Sequence, residues 1–336
     1  MSIDQSAKID SITIHEIEIP YAVPFQISGG VSYSRKSLII EMQGEGITAY
    51  GEAAPFEQPF YSSETIGSAR LMLEQMLIPK TQGREFDSIE ELNAVLNEGI
   101  RGNNFAKAGI ETAYWDLIAR KNNISIQELI AEKLSEYGTT DAYMQSRDYI
   151  ESGVSVGIPK DENLKTLAKW VEDYVEHGYT RVKIKVRPGW DIDAMKTARD
   201  VIGPDFPFWM DANASFDLKQ HLRILRAMDE FDCLFLEQPL HHDDLYEHLK
   251  LSKLVTTPIC FDESLKSVMV AHAAHEMGVS NIWNIKIQRM GGLMQACKTY
   301  AYASQVGASV WGGTMPESGI GAVSILSLAS FAGFRY

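Results

Sequence analysis

Six charged residues recur at nearly constant spacing in the second half of the chain. They are Lys183, Lys185, Asp211, Glu237, Asp262 and Lys286. From Lys185 onward the successive intervals are 26, 26, 25 and 24 residues. Each residue lies within or at the end of a short apolar run that is typical of a buried β-strand. A single carboxylate at a strand end usually caps a helix or forms a turn, so only the set as a whole indicates a site.

The three carboxylates of this set suggest a metal site. Carboxylates on neighbouring strands repel one another unless a cation lies between them, and we therefore predict that Asp211, Glu237 and Asp262 bind a hard divalent metal. Ligation by oxygen alone favours Mg²⁺, with Mn²⁺ as the alternative, over zinc.

The lysines suggest proton transfer next to that metal. Lys183 and Lys185 point to one face of their strand because side chains alternate with a period of two. Lys185 is the candidate base, since both Lys183 and the metal disfavour its charged form. Removal of a proton α to a substrate carboxylate produces an enediolate that the metal would stabilise. Lys286 would approach from the opposite side, and Arg289 would add a further cationic influence.

Alternating β-rich runs and amphipathic helical stretches would position these residues. The runs are 154–158, 181–186, 206–213, 233–240, 258–264, 281–287 and 308–314. Strand and helix repeating at about 25-residue spacing predict a parallel sheet. Seven units favour a TIM-type (β/α) barrel, in which strand ends converge on one active-site mouth. A doubly wound sheet is the alternative, although no Gly-rich phosphate motif follows the first strand.

The N-terminal region has a different pattern. Residues 11–20 and 37–52 read as strands, and residues 63–78, 88–99 and 103–121 read as helices. We therefore predict an α+β domain at residues 1–130, followed by a barrel domain at residues 131–336 that carries the metal and the lysines.

Composition narrows the class of protein. A net charge of −14 argues against a protein that binds nucleic-acid phosphates. We find no signal peptide and no apolar run near the roughly 20 residues of a membrane span. The chain has three cysteines, Cys233, Cys260 and Cys297. Two of them lie in short apolar runs, which favours buried thiols. We expect a cytoplasmic protein with a small-molecule substrate and no nucleic-acid or membrane partner.

Longer motifs resemble a known family. They are GNNFAKAGIETAYWDLIARK (102–121), YTRVKIKVRPGWD (179–191), FLEQPLHHDD (235–244), CFDES (260–264) and GGTMPESGIG (312–321). With the spaced lysines and carboxylates, they resemble the muconate-lactonising subgroup of the enolase superfamily. Within that subgroup they are similar to the o-succinylbenzoate synthase and N-succinylamino acid racemase family.

The resemblance implies an α/β fold: a modified TIM-type (β/α)7β barrel with an N-terminal α+β capping domain. It also implies syn dehydration of 2-succinyl-6-hydroxy-2,4-cyclohexadiene-1-carboxylate in menaquinone biosynthesis. Lys185 would act first as base and then as acid, and Lys286 would stabilise the enediolate as a cation. In N-succinylamino acid racemisation, the two lysines would each serve one face of the α-carbon. A homo-oligomer is also the family expectation.

Further site residues follow from the resemblance alone. Lys183, Asn213, Glu263 and Arg289 would support the lysines and the metal ligands. Substrate contacts are expected from Gly312, Gly313, Met315, Glu317 and Ser318. Loops of the capping domain near residues 21–33 and 51–62 would close over the succinyl part of the substrate.

Two departures from the family pattern and several alternatives stay open. The family usually continues from the Gly-rich segment into an Arg-Ala-x-Asn run, where this chain has AVSIL after Gly321. The family's last barrel strand lies beyond the position of Tyr336, so we expect the final strand to be missing. Dipeptide epimerisation, cycloisomerisation and an inactive barrel that binds metal are the alternative functions. The His241–Asp244 run reads as a polar helix entry, with a metal cluster as its alternative.

Overall fold

An antiparallel sheet begins the structure, a computed structural model that describes residues 3–27 and 30–336. The strands of this region are β1 (Ala7–Lys8), β2 (Ser11–Ile27), β3 (Gly30–Gly44), β4 (Ile47–Ala53) and β5 (Glu85–Phe86). β2, β3 and β4 form a three-stranded antiparallel sheet in that order, and β1 pairs with β5. β4 is therefore an edge strand of the larger sheet.

Helices pack against this sheet. They are α1 (Ile66–Met72), α2 (Ile78–Thr81), α3 (Ile89–Asn97), α4 (Asn104–Lys121), α5 (Ile126–Glu136) and α6 (Asp141–Met144), with a π-helical segment at Leu73–Leu77 between α1 and α2. α4 is buried on nearly all sides, and its buried residues include the charged Lys107 and Glu111. It contacts β3 and β4 on one side and the second half of the chain on the other.

Seven parallel strands form the second sheet. They are β6 (Val154–Val156), β7 (Val182–Lys185), β8 (Phe208–Asp211), β9 (Leu236–Glu237), β10 (Ile259–Phe261), β11 (Ile282–Ile285) and β12 (Ser309–Gly312). Their order in the sheet is their order in the chain, and every pair is parallel. The predicted strand–helix repeat is confirmed, and the sheet curls as in a TIM-type barrel.

A helix or pair of helices follows each of these strands. They are α7 (Leu164–Glu176), α8 (Ile192–Ile202), α9 (Leu218–Ala227), α10 (Leu245–Leu251), α11 (Val268–Glu276), α12 (Ile287–Met290), α13 (Leu293–Val306) and α14 (Gly319–Ala329). A 3₁₀ turn at Met228–Phe231 extends α9. None of the helices described within residues 3–27 and 30–336 is long and apolar enough to cross a membrane.

The two faces of the curled sheet carry different side chains. Outward residues such as Ile184, Met210 and Phe261 join the main apolar core against the helices. The inward residues include an aromatic and apolar layer made of Trp209, Phe235, Cys260, Ile282 and Trp311. This layer fills the lower part of the curl.

The sheet has two edges, β6 and β12, within the described ranges. Beside β12, Phe334 forms a parallel bridge with Val310, and Phe331 forms an antiparallel bridge with Ser146. The C-terminal residues thus begin to extend the sheet beyond β12, and no eighth strand is formed among the residues that the structure describes.

One local prediction is wrong. The predicted strand at residues 11–20 was expected to end at Pro20, with a loop near 21–33, but β2 continues to Ile27 and β3 starts at Gly30. The cause is pairing, since the two strands form one long hairpin whose register resumes beyond Pro20. Residues 28 and 29 of that predicted loop lie outside the described residues.

Candidate active site

The inward face of the parallel sheet carries a polar layer above the aromatic one. Trp209 and Asp211 are two residues apart on β8, and the same spacing separates Phe235 from Glu237 and Cys260 from Asp262. Alternation with a period of two therefore places each predicted metal ligand directly above an apolar side chain. The apolar layer shields the lower side of the carboxylates from water.

The three predicted metal ligands meet in one place. One carboxylate oxygen from each of Asp211, Glu237 and Asp262 lies within 4.8 Å of the others, and all three side chains are fully buried. Oxygen atoms at this spacing can surround one hard divalent cation.

The lysines flank this carboxylate group from two sides. Lys185 Nζ donates to Asp211 Oδ2 at 2.6 Å, and Lys286 Nζ donates to Asp262 Oδ2 at 2.8 Å. Their positions at the ends of β7 and β11 are separated by three intervening strands. The two Nζ atoms therefore approach the carboxylates from opposite sides.

Lys183 lies below Lys185 and between two carboxylates. Its Nζ is 2.9 Å from Asp211 Oδ2 and 3.4 Å from Glu237 Oε2, and it lies over the Trp311 ring at 4.7 Å. These carboxylates hold the pKa of Lys183 above its usual value despite burial, which favours the neutral amine. Lys183 is thus a fixed cation beneath the site.

The carboxylates are unequally compensated. Burial opposes ionisation of Asp211, but Lys183 and Lys185 outweigh it and bring the pKa of Asp211 to about 2. Lys286 and Arg289 likewise overcome burial and hold the pKa of Asp262 well below its usual value.

Glu237 has only a longer contact with a cation, since Lys183 Nζ is 3.4 Å from its Oε2 and 2.9 Å from Asp211 Oδ2. Its two oxygens accept hydrogen bonds from the neutral donors Trp209 Nε1 (2.9 Å) and Asn284 Nδ2 (3.1 Å). Burial and the nearby Asp211 raise the pKa of Glu237 to about 8. The ionised form of this buried carboxylate thus requires further positive charge, which a divalent cation held by the three oxygens would supply. The donor set fits such an ion.

Asn213 and Glu263 form the predicted supporting pair. Asn213 Oδ1 accepts a hydrogen bond from Lys185 Nζ at 2.6 Å, and its Nδ2 donates to Glu263 Oε1 at 2.9 Å. Burial and the neighbouring Asp262 raise the pKa of Glu263 to about 7. This chain of contacts orients the Lys185 amine from the solvent side of the carboxylates.

The loop near residues 51–62, which was expected to cover the substrate, brings to the site a tyrosine that the sequence reasoning did not single out. Tyr61 Oη accepts hydrogen bonds from Lys286 Nζ (3.1 Å) and Arg289 Nη1 (2.9 Å), and it donates to Asp262 Oδ1 (3.2 Å). Arg289 also forms an ion pair with Asp262. No sequence signal marks Tyr61, because it lies in a loop more than 200 residues from its partners.

A cavity of about 1100 Å³ opens above these groups. Its lining includes Lys185, Lys286, the loop residues Phe56 and Tyr61, and the segment 312–316. The size is slightly above the usual range of small-molecule sites, so the cavity has room for such a ligand, and cationic and aromatic side chains together suit an anionic substrate with an apolar part.

The predicted substrate contacts divide into two groups. Gly312, Gly313 and Met315 line the cavity. Ser318 instead caps α14 and donates to Glu52, and Glu317 Oε2 accepts from the backbone N–H of Met315. Neither Glu317 nor Ser318 is among the residues that line the cavity in the described part of the chain, so their substrate contacts stay a prediction.

The histidine pair lies at the rim. Asp244 Oδ1 accepts a hydrogen bond from the first turn of α10, as predicted for a polar helix entry. Ligand atoms of His241, His242 and Asp243 also lie within 4.8 Å of one another. However, Asp243 forms an ion pair with Lys266 at 2.7 Å, which already occupies its carboxylate.

Comparison with known proteins identifies the family. Residues 166–335 match the model described as "Enolase C-terminal domain-like". Residues 9–131 match that of the "Mandelate racemase / muconate lactonizing enzyme, N-terminal domain". The chain belongs to the enolase superfamily. Members of this superfamily are enzymes that use a divalent metal, so the buried Asp211, Glu237 and Asp262 stand where such an ion could be held.

Individual members of the superfamily resemble the chain over most of its length. An o-succinylbenzoate synthase of Bacillus subtilis is 38% identical over 329 residues, which cover 97% of this chain and 83% of the relative. An N-succinylamino acid racemase of Thermus thermophilus is 34% identical over 327 residues, covering 97% and 84%. A solved enolase-superfamily structure from Listeria innocua matches with a TM-score of 0.88 at 33% identity, covering 98% of this chain and 84% of that one.

Proposed function

We propose that the chain is an o-succinylbenzoate synthase. It would dehydrate 2-succinyl-6-hydroxy-2,4-cyclohexadiene-1-carboxylate in menaquinone biosynthesis, and N-succinylamino acid racemisation would be a second reaction of the same site. The observation that supports this most directly is the pair of lysines, Lys185 and Lys286, on opposite sides of one buried carboxylate group. The similarity to the synthase of Bacillus subtilis supports the choice of substrate.

Lys185 would perform the proton transfers of the dehydration. As a neutral amine it removes the α-proton, and the resulting ammonium then gives that proton to the departing hydroxyl group on the same face. Water leaves, a new carbon–carbon double bond completes the aromatic ring, and Lys185 returns to its neutral state. The contact with Asn213 Oδ1 at 2.6 Å holds the amine in place between the two transfers.

Asp211, Glu237 and Asp262 would hold Mg²⁺, with Mn²⁺ as a substitute. When bound, the ion supplies positive charge for the oxygens of the enediolate. The protein's own contribution is preorganised positive charge: Lys183 stays beneath the carboxylates, and Lys286 lies on the face opposite Lys185.

Lys286 would have a different role in each reaction. In the dehydration it stays protonated, because Asp262 holds its pKa above the usual value against the effect of burial. In racemisation it would exchange a proton with the second face of the α-carbon. Arg289 and Tyr61, which both contact Asp262, would keep the lysine directed at the substrate.

The wider setting of the protein is part of the proposal. Residues 1–130 would form a capping domain and residues 131–336 the barrel domain. The loop at residues 51–62 would cover the succinyl part of the substrate. We propose a cytoplasmic homo-oligomer.

A substrate panel tests the proposal. The protein, freed of metal and reloaded with Mg²⁺, is incubated separately with the cyclohexadiene carboxylate, with N-succinyl amino acids and with dipeptides. We expect dehydration of the first, which is monitored through the absorbance of the aromatic product. We also expect racemisation of the second. Turnover of dipeptides alone would contradict the proposal.

A further inference from the structure

The outer edge of β4, at the end of the strand, is paired by a side chain rather than by another strand. Gln288 Oε1 accepts a hydrogen bond from the backbone N–H of Ala54 at 3.0 Å, and its Nε2 donates to the backbone carbonyl of Glu52 at 2.7 Å. The two bonds flank Ala53, as the peptide group of a neighbouring strand would. Gln288 thus supplies the pairing that an edge strand otherwise lacks.

These hydrogen bonds are sheltered from water. The Gln288 side chain is only 2% exposed, and Ala53 and Ala54 are fully buried. Because the contact is buried, bulk water does not easily replace the amide of Gln288, and loss of the amide would leave a buried N–H and a buried carbonyl group unpaired at a cost in free energy. The contact therefore holds the end of β4 tightly.

Gln288 lies at a position that matters for the site. It follows the catalytic candidate Lys286 by two residues and precedes Arg289. The chain that leaves β4 at Ala54 returns to the same place seven residues later, where Tyr61 Oη meets Lys286 Nζ and Arg289 Nη1. The segment 54–61 is thus tied to the end of β11 at both of its ends.

A second anchor acts on the same segment from the other side. Arg35 on β3 donates to the carbonyl groups of Ala54 and Pro55, and its guanidinium lies over the Phe56 ring at 4.6 Å. Arg35 belongs to the N-terminal sheet, whereas Gln288 belongs to the barrel. Gln288 therefore joins the end of β11 to the start of the loop, next to the Glu52 carboxylate, which accepts hydrogen bonds from Ser318 and Gly321 of the barrel.

We propose that Gln288 is a positioning residue, which fastens segment 54–61 to the end of β11 and thereby sets Tyr61 on Lys286 before substrate binds. Gln288 does not line the cavity, so it acts through the loop rather than on the substrate. The functional half of this inference rests on the proposed role of Lys286. The structural half, the fastening of the loop, does not.

The structural half is tested by hydrogen–deuterium exchange of the full chain. Gln288→Met keeps the length of the side chain and removes both hydrogen bonds. Tyr114→Phe is the matched control, because the buried Tyr114 hydroxyl also contacts two backbone carbonyls of the N-terminal region, those of Gln5 and Phe86. We expect the amides of the non-proline residues in segment 54–61 to exchange about tenfold faster in Gln288→Met and at the wild-type rate in Tyr114→Phe. Unchanged exchange in Gln288→Met would overturn the proposal.

The functional half is tested by steady-state kinetics with Mg²⁺ and the cyclohexadiene carboxylate. If substrate binds only when the loop is ordered, its apparent affinity is the intrinsic affinity multiplied by the fraction of protein whose loop is already ordered. We therefore expect KM to rise about tenfold in Gln288→Met, with kcat within about twofold of wild type. Tyr114→Phe should leave both constants unchanged.

The outcomes separate the two proposals. Faster loop exchange with unchanged KM would overturn the positioning role, and a fall in kcat alone would show that Gln288 acts on the chemical step instead. If the wild-type protein turns over none of the panel substrates, the proposed function fails. The exchange comparison would still decide whether Gln288 fastens the loop.

Discussion

Gly313 lies where two residues of the site leave no space for a side chain. A Cβ atom added at this position would stand 2.4 Å from Asn284 Oδ1 and 2.7 Å from Lys286 Cε. Asn284 donates to the candidate metal ligand Glu237, so both the lysine and the carboxylate depend on this space. The substitution Gly313→Ala therefore tests whether their precise positions matter.

The size of the effect follows from these distances. Ordinary van der Waals contact begins at 3.4 Å, so Asn284 would have to withdraw by about 1 Å and Lys286 by about 0.7 Å. Misplacing a reacting group by about 1 Å costs on the order of 100-fold in rate. Overpacking of this kind costs about 1–3 kcal/mol of unfolding free energy. We predict a fall of kcat of about 100-fold in a protein that still folds.

The assay is dehydration of the cyclohexadiene carboxylate by the Mg²⁺-loaded protein, with urea unfolding measured in parallel. Gly319→Ala is the control, because a Cβ atom there would meet no atom within 4 Å. If Gly313→Ala keeps kcat within about twofold of wild type, the precise placement of Lys286 and Asn284 is not critical for catalysis, contrary to the prediction.

Three further predictions concern contacts between the N-terminal region and the barrel. Tyr61→Phe removes the hydroxyl that joins Lys286 and Asp262, and we expect kcat to fall about tenfold with a loss of about 1–2 kcal/mol in urea unfolding. Gly292→Ala places a Cβ atom 2.2 Å from Glu111 Oε2 at a φ of +130°, and calorimetry should show a loss of at least about 2 kcal/mol. Burial raises the pKa of Glu111 from 4.5 to about 7, although the N–H groups that bond to its carboxylate act to lower the pKa. Glu111 therefore holds its proton more tightly in the folded state than in the unfolded state. Relative to Glu111→Gln, the free energy of unfolding in urea should fall as the pH rises from about 4.5 to about 7, by up to ~1.4 kcal/mol per pH unit.

Each of these predictions has an opposing result. Wild-type kcat in Tyr61→Phe would show that the hydroxyl does not direct Lys286. Wild-type stability in Gly292→Ala would mean that Glu111 has room to move. Parallel stability curves for the wild type and Glu111→Gln would show that Glu111 has the same pKa in both states.

The barrel and its polar layer were predictable because their signals are local. A period of two within each strand places Asp211 and its equivalents on the inward face, and the near-constant interval between units places them on consecutive parallel strands. The same rule could have found Trp209 and Asn284, each two residues before a predicted site residue and on the same face.

The contacts made by the N-terminal region were not predictable in this way. Tyr61 and Gln288 reach partners more than 200 residues away, and neither belongs to a periodic pattern. The strand beyond Pro20 was missed for a related reason, since a proline usually ends a strand unless a paired neighbour continues beyond it. These features depend on packing between distant parts of the chain, which cannot be predicted from the local sequence.

Stereospecific exchange of the α-proton is the most direct test of whether Lys185 and Lys286 serve opposite faces of the substrate. The Mg²⁺-loaded Lys185→Ala and Lys286→Ala variants are incubated in D₂O with each enantiomer of an N-succinyl amino acid, and α-deuterium is measured by NMR. We expect each variant to lose exchange from one enantiomer and to keep it for the other, with the two variants affecting opposite enantiomers. Loss of exchange from the same enantiomer in both variants would contradict the placement of the two lysines on opposite faces.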